Sequence, residues 1–247
     1  HKAREGGFLG VRLSRLAEDA LRDGALETYV ALREEAKARY AKVAAGLDAA
    51  EAELKARRLE GGAVIAAAGA AHELTADYRA AARDYRAAFD EVARWDAAQA
   101  ADYKRREADA WLSEGDEGGD AAALDVSIAA FGEALALSPR AESPLAWALV
   151  QNDLGNALLV RGRGETGAAS INAAVAAYRA ALEVRTREAQ PQLWAKTQNN
   201  LALAYMELNE RSGDAVLLDQ AIASYRAALS IVDKAAEPLV FAAAASN

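Results

Sequence analysis

The side chains able to do chemistry in this 247-residue chain are few. There are two histidines, His1 and His72, and no cysteine. Two histidines without a thiol do not make a zinc or non-haem iron site. His72 reads as a packed or surface histidine. Gly162 and Gly167 have the glycine spacing of a phosphate loop, but Ala168 and Ala169 stand where that loop needs Lys and Ser/Thr. The segment SEGDEGGDAAALD at 113–125 carries Glu114, Asp116, Glu117, Asp120 and Asp125. Their spacing is not that of a calcium loop, and the segment reads as a solvated loop between helices. Arg57–Arg58 and Lys104–Arg106 are short basic clusters among acids, hence solvated helix faces rather than a nucleic-acid surface. What remains is amides. Gln198, Asn199 and Asn200 sit in a row in WAKTQNNLALAYMEL at 194–208. Each amide offers donors and an acceptor, yet amides are indifferent helix formers, so their place in an apolar helix needs a reason.

The elements that carry them are helical. The chain is 53% hydrophobic but 6% aromatic, with 4 prolines; the excess is alanine, which favours helix over sheet. The longest apolar runs, such as Ala63–Ala71, fall short of the roughly 20 residues a membrane span needs. No signal-peptide pattern is visible, and the lack of cysteine fits a reducing cytoplasm; a cytoplasmic protein with no membrane partner is expected. The net charge of −8 is uneven. Residues 1–95 hold 16 basic and 16 acidic side chains, so the whole excess lies in 96–247. An acidic half disfavours nucleic acid and suits neutral to basic protein partners.

The order of these helices repeats. Pro144, Pro191 and Pro238 are 47 residues apart, as are Phe131, Tyr178 and Tyr225, and Leu135, Leu182 and Leu229. Trp147 and Trp194 keep the same step. Each period holds two helical segments. The first runs over 144–161 and 191–208, opened by a proline that loses no helical hydrogen bond there, with Ser143 as an N-cap. Its stripe is Trp147, Gln151, Leu154, Leu158. The second runs over about 168–186 and 215–233, with stripes Ile171, Val175, Tyr178, Leu182 and Leu218, Ile222, Tyr225, Leu229. Glycines in the intervening loops 161–167 and 209–213 supply left-handed caps. Units are expected at about 62–95, 96–143, 144–190 and 191–237, with a partial one at 238–247. Residues 1–60 are expected to be an N-terminal cap. There Tyr29, Ala36, Tyr40, Val43, Leu47, Ala50 and Leu54 allow a long coiled-coil-like helix or a degenerate repeat broken at Gly46, and a helical hairpin is preferred.

DLGNALL at 153–159, NLALAYM at 200–206, AVAAYRAAL at 174–182 and AIASYRAAL at 221–229 resemble the tetratricopeptide repeat family. TQNNLALAY at 197–205 is similar to the first helices of kinesin-light-chain-type repeats. The family period is about 34 residues; here both loops are longer, as in extended bacterial repeats. The resemblance implies an all-α superhelical solenoid of antiparallel helix pairs whose first helices line a concave peptide-binding groove. On this sequence the groove residues would be Asp102, Arg106 and Asp109, then Leu149, Asp153 and Asn156, then Lys196, Asn200 and Leu203, with Asn152 and Asn199 beside them. Lys196 and Asn200 resemble half of the family's carboxylate clamp, but Asp153 stands where the neighbouring repeat would need Asn, and its charge repels a carboxylate. The amides have a second reading, bonds to the preceding repeat that fix helix spacing. Gln151 and Gln198 read as packing residues.

The expected function is a non-enzymatic scaffold that holds a partner peptide or segment, with no cofactor and no metal. The alternatives are a self-assembling module, joined through the unfinished repeat at 238–247, and a regulatory segment of a larger signalling protein, of which this chain would be a fragment.

Overall fold

The computed structural model describes residues 25–231, with positions 15, 16, 19 and 22 before them. The first 14 residues of the expected cap and the partial unit at 238–247 lie outside the described residues. Among those described, regular structure is helical throughout: α1 (Leu26–Leu74), α2 (Tyr78–Val92), α3 (Ala97–Glu117), α4 (Ala121–Leu137), α5 (Pro144–Arg163), α6 (Ala169–Leu182), α7 (Pro191–Ser212) and α8 (Ala215–Leu229). The chain is all-α. It divides into two compact units between Glu60 and Gly61.

In the first unit α1 runs unbroken through Gly46, as the long-helix reading of the stripe allowed, with no turn there for the preferred hairpin or for a broken repeat. A Cβ at Gly46 would meet nothing within 4 Å, so the glycine is tolerated at a cost of about 1 kcal/mol against alanine. The charged surface is laced along the helix: Lys37 donates to Glu34, Arg39 to Glu35 and Arg57 to Glu53. Tyr40, Leu47 and Leu54, from the apolar stripe, are exposed.

In the second unit the helix starts are held by acidic caps. Asp77, Asp96, Asp120 and Asp214 each accept a backbone N–H from the first turn they precede. Pro144 and Pro191 open α5 and α7. Ser143 occupies the N-cap of α5, but its hydroxyl makes no capping hydrogen bond. Gly213 ends α7 in the left-handed conformation, φ 67°; Gly164 after α5 keeps φ −79° and does not. The acidic stretch 113–125 is not a loop. Its first five residues finish α3, and Asp120 caps α4 after only two glycines. Those carboxylates tie helices together: Arg79 donates to Glu114 (2.7 Å) and Asp120 (2.7 Å), and Tyr78 to Glu117 (2.8 Å).

Each helix from α2 to α8 packs on the next, and α3 touches α5, and α5 touches α7. Positions 47 apart share a fate. Phe131, Tyr178 and Tyr225 are buried, and so are Ala134, Ala181 and Ala228. Ala108, Gly155 and Ala202, again 47 apart, are small and buried. At Gly155 a Cβ would stand 2.5 Å from Tyr178 Cε1, so the ring lies against bare backbone. This contact sets the spacing of α5 and α6, and from it the positions of the polar side chains on α5.

Candidate functional site

The polar residues singled out from the sequence lie on α3, α5 and α7. The structure brings most of them together, largely against one another. On α7, Asn200 Nδ2 donates to Asn152 Oδ1 (3.3 Å) and to Asn156 Oδ1 (3.0 Å), both on α5. Asn156 Oδ1 also accepts the Tyr178 hydroxyl (2.9 Å) from α6. Asn152 Nδ2 donates to Asp153 (3.2 Å). Asn152 is 1% exposed and is out of reach of any incoming peptide. Both Asn200 N–H groups are spent, leaving its oxygen. This network is the helix-spacing arrangement, with amides from adjacent periods bonded side chain to side chain. Asn199 and Lys196 stand outside it: Asn199 is half-buried and Lys196 exposed. Leu203 is half-buried and packs on the apolar core formed by α6, α7 and α8 with Leu159 of α5.

Two residues that the sequence reading passed over, Thr197 and Arg185, complete the α5–α7 seam. Thr197 is fully buried. Its hydroxyl accepts from Arg185 Nη1 (2.9 Å) and shares its one proton between Asn152 Oδ1 (3.1 Å) and the Leu193 carbonyl (2.9 Å). Arg185, in the linker after α6, is 2% exposed. Burial holds its pKa below the usual range for arginine, against the pull of Asp153. The visible trace in the sequence was Thr197, which opens TQNN.

The α3–α5 seam uses charge instead. Arg105 donates to Asp102 (3.1 Å) and Asp109 on its own helix and lies 3.5 Å from Asp153 on α5. Burial opposes its charge, but Asp109 and Asp102 outweigh it and raise its pKa. Arg106 donates to Asp102 (2.8 Å). Three carboxylates therefore face two guanidinium groups. Burial, with the charge of Asp153 added, pushes Asp109 up to about 7 despite Arg105. Burial raises Asp153 as well, opposed by the Asn152 hydrogen bond and Arg105. Lys104, expected on a solvated face with Arg105 and Arg106, is instead fully buried: it lies 2.7 Å from Glu107 and 3.0 Å from Glu133, with its ammonium 4.5 Å from the Phe89 ring centroid, so ion pairing and the ring take the place of water.

Beside Asp102 and Leu149 a cleft of about 250 Å³ opens between α3, the α4–α5 linker and α5. Its apolar wall is made by Ala98, Ala101 and Leu149, and its polar edge by Asp102, Arg105 and Glu142. Arg105 Nε is buried with no hydrogen-bond partner among the described residues.

His72 does no visible chemistry: its Nδ1 lies 2.8 Å from Asp84 Oδ2. No group of three or more His, Asp or Glu side chains suited to a metal ion occurs among the described residues. No described helix is long and apolar enough to cross a membrane. No protein-family model matches the chain, and no curated protein matches it.

Proposed function

We propose that the chain is a tetratricopeptide-like solenoid and acts as a non-enzymatic scaffold that holds an extended segment of a partner protein. The observation that carries this reading is the open cleft between α3 and α5. It lies at Asp102 and Leu149, on the helices that the family resemblance assigns to the groove. Asn152, Asn156, Asn200 and Thr197 are committed to neighbouring helices. The cleft is where the surface offers a concavity with apolar walls and polar groups at its edge, the ordinary make-up of a binding site. Its polar groups are two carboxylates, a guanidinium and the hydroxyls of Ser138 and Ser143, with no histidine beside them to serve as a base. Lys196 and Asn199 extend the contact surface on α7. The acidic excess of residues 96–247 favours neutral to basic partners.

Selection of a displayed random-peptide library on the immobilised full chain tests the proposal. Ala98 is exposed on the cleft wall, so Ala98→Trp blocks the cleft without entering the core. Peptides selected by the native chain should lose their affinity for that variant. If no peptide is selected, or if the selected peptides bind the variant equally well, the proposal fails.

A further inference from the structure

Comparing the two seams at a 47-residue offset shows what the cleft lacks. Ser138 in the α4–α5 linker corresponds to Arg185 after α6, Val150 to Thr197, and Arg105 to Asn152. At the α5–α7 seam the Arg185 side chain runs inward, almost wholly buried, and ends on Thr197. At the α3–α5 seam the corresponding residue is a serine, and the cleft is there. The chain thus contains one copy of this niche filled by its own arginine and one copy left open.

The open copy also has the charge to take such a side chain. Asp102 lines it beside a single guanidinium, Arg105, which is itself answered by Asp109 and Asp153 behind it. Glu142, exposed on the linker, adds a further carboxylate at the mouth. Arg140, the nearest linker cation in sequence, is held by Glu183 at 2.6 Å. The alanine wall of α3 fits the apolar stem of a long side chain, as such stems lie along apolar surface with their charge at a polar edge.

We propose that the cleft receives an arginine side chain from the bound segment, which takes the place that Arg185 fills 47 residues on. The stem lies along Ala98 and Ala101, and the guanidinium reaches Glu142 and the free lone pairs of Asp102. This rests on the scaffold reading above and gives the partner its chemistry: a segment with an exposed arginine, flanked by small or neutral residues.

Two variants test it in the full chain. Ser138→Arg copies the native filled niche and closes the open one from within. Glu142→Lys changes an exposed linker residue, leaves the core untouched, and reverses the charge at the mouth. Peptides selected by the native chain should be enriched in arginine. Replacing that arginine by citrulline, which keeps the shape and removes the charge, should weaken binding about 10- to 100-fold, the usual range for a charge-assisted hydrogen bond. Both variants should abolish the preference for the arginine peptide over its citrulline twin. Selected peptides without arginine enrichment, or a preference that survives in Glu142→Lys, overturn this inference and leave the scaffold reading standing. Failure to select any peptide overturns both.

Discussion

Asn200 on α7 and Asn156 on α5 are hydrogen-bonded to each other across the seam, Nδ2 to Oδ1, at 3.0 Å. The asparagine that looks most available for a ligand in the sequence is a joint between helices. Asn200→Ala should therefore destabilise the fold, by about 1–3 kcal/mol, because it leaves the buried Asn152 oxygen with one donor fewer and strips Asn156 of another. The neighbouring Asn199→Ala should stay within about 0.5 kcal/mol, as surface changes do. Urea unfolding followed by circular dichroism separates the two. Equal effects would remove the amide network from the account of stability.

Asp109 is the group whose protonation should be felt by the fold. Its pKa is raised in the folded chain from 3.8 to about 7, so between these values the folded state holds the proton more tightly than the unfolded one. Stability from this group is greatest at low pH and declines as pH rises through that window. Side-chain exposure of 34% lets water screen the effect, which limits it to about 1 kcal/mol. Asp109→Asn should raise the melting temperature at pH 8 and leave it nearly unchanged at pH 5. Thermal melts at the two pH values check this; a variant less stable at pH 8 than the native chain would show that the ion pair with Arg105 outweighs the burial of the charge.

Lys104 is an ammonium with no exposed surface, neutralised by Glu107 and Glu133. Lys104→Met removes the cation and leaves the nearly buried Glu107 with Arg86 alone, 3.9 Å away, a loss expected at about 3 kcal/mol. Adding Glu107→Gln should recover most of it, since an uncharged pair no longer requires a counter-ion. Chemical denaturation of the single and double variants measures the coupling. Additive losses would mean that Glu107 does not depend on Lys104.

The helices were legible from the sequence because they are governed by local rules. Pro144 and Pro191 open helices, aspartates cap them, and the spacing of Phe131, Tyr178 and Tyr225 marks buried faces. The errors were local as well. Gly46 has no neighbour to require a turn, so the helix runs through it. Five acidic residues in 113–125 suggested a loop, although Glu114 and Asp120 serve Arg79 on another helix. The site was less legible. Whether Asn152 faces a ligand or Thr197 depends on how α5 and α7 dock, over a separation of 45 residues, and the residue types alone are the same in both cases. The most informative difference was nevertheless written in the chain: serine at 138 against arginine at 185.

The two seams are built alike in their apolar contacts and unlike in their polar ones, and this bears on how the chain finds its own register. A 47-residue self-resemblance invites a slip in which α7 settles on α3 in place of α5. The buried apolar stripes would accept that exchange. The polar partners would not: Arg105 would face Asn200 in place of Asp153, and Thr197 would lose Asn152 and Arg185. A buried guanidinium that loses its one carboxylate across the seam, Asp153, and a buried Thr197 that loses its Asn152 partner are both costly, so each seam checks the identity of the helix that joins it. The amides and charges thereby act as proofreading marks, which let a chain of near-identical parts assemble in a single order.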